Sequence, residues 1–96
     1  MVTDPKLQKK RDEILAIATR HGARDVRVFG SRARGEGKPG SDVDLLIRLE
    51  AGRTLLDIVA IKQDLEDLLG CKVDVVTESA VSHLIRSKVL AEAVAL

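Results

Sequence analysis

Apolar positions along this chain change their period several times, and each change marks an element. Leu7, Ile14, Leu15 and Ala18 recur at helical spacing and predict a helix over residues 5–21. Asp4 suits its cap, Pro5 its first position and Gly22 its end. Residues 26–29 then read as a short strand, and residues 31–35 as a short helix. A loop over 36–40 carries the breakers Gly37, Pro39 and Gly40. In Val43–Leu49 the run Leu45-Leu46-Ile47 predicts a strand buried on both faces. Thr54 caps a second long helix, Leu55–Leu69, with Leu55, Ile58, Val59, Leu65, Leu68 and Leu69 on its apolar face and Gly70 at its end. A third strand follows over 72–77, then a last helix over 81–94 with Leu84, Ile85, Val89 and Ala93 inward. The order predicts an α/β (α+β) fold, a small mixed three-stranded sheet packed with helices, in one domain spanning 1–96. Strand directions stay open.

Composition narrows the function. Sixteen basic residues against 15 acidic give a net charge of +1, which argues against direct nucleic-acid binding. Phe29 is the only aromatic, so a platform of stacked rings for bases cannot be built. Cys71 is the only cysteine; no internal disulfide can form, and the chain reads as cytoplasmic. No apolar run approaches the roughly 20 residues of a membrane span.

Three aspartates then stand out. Asp42 and Asp44, in Gly40-Ser41-Asp42-Val43-Asp44-Leu45, fall on one side of a strand, and Asp74 sits inside Val73-Asp74-Val75-Val76. An ionised carboxylate among apolar neighbours is costly unless a cation pairs with it. If the two strands are adjacent, three carboxylates can converge on hard cations such as Mg²⁺. Two ions would clamp a phosphorus centre. The bland alternative stays open: Asp42 caps a turn and Asp44 lies on a solvated edge.

Upstream, Gly30-Ser31 reads as a strand-to-helix turn whose free N–H groups could hold phosphate, with Arg32 and Arg34 nearby. Its alternative is an ordinary serine cap with two solvated arginines. Gly35 to Gly40 matches GxGxxG in form, but Pro39 blocks the helix that motif requires. The P-loop spacing from Gly30 fails because Glu36 stands where lysine is needed. His21, His83 and the Lys6, Lys9, Lys10, Arg11 cluster carry no supporting context and read as helix-end and solvated positions.

Together, GSRARGEGKPGSDVDLLIRL resembles the signature of the polymerase-β nucleotidyltransferase superfamily, most closely its minimal nucleotidyltransferase (MNT) group. The Leu68-Leu69-Gly70 and Lys72-Val73-Asp74-Val75-Val76 segment is similar to the family's third-carboxylate region. The resemblance implies a palm-like fold in which Gly30 and Ser31 hold the β- and γ-phosphates of ATP, with Arg32 and Arg34 as weaker phosphate contacts. Asp42 and Asp44 would bind Mg²⁺. Asp74 would complete a second metal site and help deprotonate the acceptor. It further implies an antitoxin that adenylylates a tyrosine hydroxyl on a HEPN-type ribonuclease toxin; this chain has no tyrosine of its own. The alternative is a non-catalytic antitoxin that masks its toxin by direct binding. A homo- or hetero-oligomer is compatible with either.

Overall fold

The computed structural model describes residues 4–33, 35, 42–81 and 84–96. Arg34, Ser41, His83 and the 36–40 loop lie outside them. Four strands form one sheet in the order β3-β2-β1-β4: β1 is Ala23–Phe29, β2 Val43–Leu49, β3 Val73–Thr77 and β4 Val94–Ala95. β1 runs antiparallel to β2 and to β4, while β2 and β3 are parallel, so the sheet is mixed. The helices are α1 (Pro5–Lys9), α2 (Arg11–Arg20), α3 (Leu55–Leu69) and α4 (Arg86–Glu92), with a 3₁₀ turn at Glu78–Ala80.

The sheet is buried on both faces, as the β2 run requires. Val43, Leu45 and Ile47 point to one face, where they pack with Ile14 and Ala18 of α2 and Ile61, Leu65 and Leu69 of α3. Leu46 points to the other, with Val81, Val89, Phe29 and Val76. Alternation along β2 thus places Asp44 on the Leu46 face, the side that α4 covers only in part.

Several boundaries follow local chemistry. Asp4 accepts from the backbone N–H groups of Lys6 and Leu7 at the start of α1. Thr54 and Asp57 form a reciprocal capping box on α3, and Gly70 closes it in the left-handed conformation at φ 68°. Elsewhere the expected elements are corrected. The 5–21 helix is interrupted at Lys10 (φ −100°, ψ 7°), although Leu7, Ile14 and Ala18 still bury one common stripe. No helix starts at Ser31 among the described residues. Instead, the Ala33 N–H donates to the Gly30 carbonyl and the Gly35 N–H to the Arg32 carbonyl, two tight turns. The 81–94 helix shrinks to α4 because Ala93 turns extended and Val94–Ala95 adds a fourth strand beside β1. Without that strand, β1 would expose an open row of backbone groups.

Candidate active site at the carboxylate end of the sheet

The first residues of β2 and β3 and the last of β1 meet at one end of the sheet. The Val43 N–H donates to the Lys72 carbonyl over 3.0 Å, tying the starts of the two parallel strands together. That register sets Asp44 directly opposite Asp74 and, across the antiparallel pair, opposite Phe29. Asp74 shares its side of β3 with Val76, so the two carboxylates project to the same face. Asp42 lies two residues before Asp44, exposed to solvent.

Their mutual effect appears in Asp44. Burial pushes its carboxyl above the usual carboxylate range, and the charges of Asp74 and Asp42, with a hydrogen bond to Asp74, push it further. Gly30 closes in from the end of β1. It adopts φ +76°, and a Cβ there would lie 2.5 Å from Asp44 Oδ2. Glycine therefore serves two purposes, a left-handed turn and close approach to a carboxylate. Ser31 follows in that turn, half-buried.

Arg32 goes elsewhere. Its guanidinium is 4% exposed and donates to Asp4 Oδ2 over 2.9 Å, pinning the Gly30 turn to the cap of α1. Burial raises the Asp4 carboxyl, but the hydrogen bond and charge of Arg32 and the Leu7 and Lys6 N–H groups outweigh it and hold it below the usual range. This contact gives Arg32 a structural role beside the Gly30 turn.

The sequence reading overlooked Lys62. Its Nζ on α3 lies 3.8 Å from Asp74 Oδ1, 3.3 Å from Glu66 Oε2 and 2.7 Å from the Val73 carbonyl. The Lys62/Glu66 spacing resembles any solvated i,i+4 helix pair; only the docking of α3 on the β3 edge reveals its destination. Arg11 also departs from its expected solvated role: its Nε donates to the Leu96 carbonyl over 2.8 Å. His21 pairs with Asp64 over 3.1 Å, away from the carboxylates.

The donor set suits a hard divalent cation, being all carboxylate oxygen with surplus negative charge. The carboxylates are close enough to raise Asp44's proton affinity. Among the described residues, however, no three His, Cys, Asp or Glu side chains are gathered about one point in a ligand set.

Over residues 10–96 the chain matches the family described as nucleotidyltransferase domain. It is similar to protein adenylyltransferase MntA of Thermococcus cleftensis, at 41% identity over 91 residues, covering 86% of this chain and 92% of that protein. It is also similar to MJ0435 of Methanocaldococcus jannaschii, provisionally named a protein adenylyltransferase, at 42% identity over 82 residues (85% of this chain, 88% of that one). A solved structure provisionally described as a minimal nucleotidyltransferase superimposes with a TM-score of 0.84 at 50% identity, covering 94% of this chain and 92% of its own. A crystal structure of a toxin-antitoxin with AMP-PNP shares the fold, with a TM-score of 0.75 at 19% identity, covering 88% of this chain and 69% of its own. The chain therefore belongs to the nucleotidyltransferase domain family, in its minimal form.

Proposed function

We propose that this chain is a Mg²⁺-dependent protein adenylyltransferase that acts as the antitoxin of a HEPN-type ribonuclease toxin, moving AMP from ATP to a toxin tyrosine hydroxyl. The observation that carries the reading is the register placing Asp44 against Asp74 beside the Gly30 turn. Asp42, Asp44 and Asp74 would hold the cation, and Gly30 and Ser31 would support the β- and γ-phosphates. When bound, Mg²⁺ supplies charge neutralisation at the phosphates and at the attacking oxygen. The acceptor hydroxyl gives its proton to Asp74, and its oxygen bonds to the α-phosphorus. The bond from that phosphorus to the bridging oxygen breaks, and pyrophosphate leaves. The names of the curated relatives support a protein acceptor, and the lack of tyrosine in this chain is consistent with an acceptor tyrosine on another molecule.

The test is transfer of label from α-labelled ATP to the toxin encoded beside the gene, with Mg²⁺. Wild type should label it; Asp42→Asn with Asp44→Asn should not. Failure of wild type to label the toxin or any other protein overturns the reading.

A second reading, neutralisation by binding alone, is favoured by the exposure of Leu55, Leu56 and Leu84, which are 76%, 79% and 94% exposed. It predicts that Asp44→Asn with Asp74→Asn still silences the toxin.

A further inference from the structure

β3 is an edge strand, and an edge leaves backbone N–H and C=O groups without strand partners. At Val73 two α3 side chains take both places. Glu66 Oε2 accepts the Val73 N–H over 3.0 Å, and Lys62 Nζ donates to the Val73 carbonyl over 2.7 Å. The two side chains also join each other over 3.3 Å. They hold both backbone groups of the residue immediately before Asp74, and the same ammonium stands 3.8 Å from Asp74 Oδ1. Lysine has three donors on a compact, strongly hydrated charge, so a single Nζ can serve all three oxygens.

An exposed ion pair at this distance has little value for stability. Its placement has a different consequence. Lys62 and Asp74 are 36% and 45% exposed, within reach of a ligand from solvent, and Asp74 faces a carboxylate whose ionisation is already disfavoured. Resting on the nucleotidyltransferase reading of the site, we infer that Lys62, braced by Glu66, is the positioning residue for Asp74: it fixes the direction of that carboxylate and competes for it with an incoming divalent cation. The two effects oppose each other, which separates this role from simple support of the fold.

The experiment compares wild type with Lys62→Met, Lys62→Arg and Glu66→Gln. Mg²⁺ binding is measured by calorimetry on the nucleotide-free protein, and kcat and KM for ATP are measured separately. Removing a positive charge beside Asp74 should tighten Mg²⁺ binding by roughly three- to tenfold. Loss of orientation should lower kcat about 10- to 100-fold while leaving KM for ATP within about twofold. Lys62→Arg should restore the wild-type Mg²⁺ affinity and part of kcat, because it restores the charge but not the compact geometry. Glu66→Gln should lower kcat in the same direction by a smaller factor, and it carries the test should Lys62→Met fail to fold. Unchanged or weaker Mg²⁺ binding in Lys62→Met, or tightening with no fall in kcat, overturns the inference. Absence of nucleotidyl transfer by wild type overturns the functional reading instead, and the Mg²⁺ comparison still decides this one.

Discussion

The two ends of the sheet treat charge in opposite ways. At the starts of β2 and β3, Asp42, Asp44 and Asp74 accumulate like charge, with Lys62 reaching in from the side. At the other end, carboxylates and guanidiniums alternate. Arg27 meets Glu78 at 2.7 Å, Arg24 meets Glu50 at 2.9 Å, Arg48 meets Asp25 at 3.1 Å, and Arg86 also reaches Glu78. Two open grooves of about 560 and 580 Å³ lie at this paired end, lined in part by Arg48, Leu49 and Glu50 or Glu78. The difference teaches that a concave surface whose charges are mutually satisfied has little left with which to drive chemistry. A surface where carboxylates crowd one another, as Asp44 and Asp74 do, gains by taking up a cation.

That contrast can be broken most sharply at Asp44. Asp44→Asn should lower transfer by about a thousandfold or more, a barrier increase of roughly 4 kcal/mol. The same change should leave the unfolding midpoint in chelator unchanged or raised, because it removes a repelled charge; a destabilised variant would contradict the electrostatic account. Next in size is Arg32→Met, which leaves Asp4 enclosed without its guanidinium. It should cost about 3 kcal/mol in urea unfolding, and a loss below about 1 kcal/mol would place Arg32 outside the structural role given to it here.

A smaller effect should appear with pH. Asp44's folded-state pKa is raised above 3.8, so protonation favours the folded chain. In chelator that contribution is complete below about pH 3.8 and is lost as pH rises through the raised folded value. Asp4 works in the opposite sense: its contribution is present above 3.8 and is lost as pH falls through its lowered folded value. The difference in Tm between Asp44→Asn and wild type should thus grow with pH above 3.8, and a difference that does not change with pH would remove the claimed repulsion. The smallest effect is expected at the paired end, where Glu78→Gln should cost about 1 kcal/mol or less in urea unfolding. Transfer should be unchanged; a large fall in transfer would mean that the arginine end takes part in the chemistry.

Much of this molecule is determined within a few residues of chain. β2 and α3 occupy the spans their apolar periods predict, Val43–Leu49 and Leu55–Leu69, and Thr54 and Gly70 bound the helix through contacts no longer than one turn. The shared side of Asp44 and Leu46, and of Asp74 and Val76, follows from strand alternation alone. Tertiary structure decided which strands are neighbours, and so whether Asp74 meets Asp44 at all. It turned Arg32 inward to Asp4, 28 residues away, and brought Lys62 to a strand that begins 11 residues later. It also drew Val94–Ala95 out of a helical pattern to cover β1. Periodicity and caps report local hydrogen bonds and the side a residue faces. The partner on that side depends on how the chain returns, which is settled by burying both faces of one sheet at once.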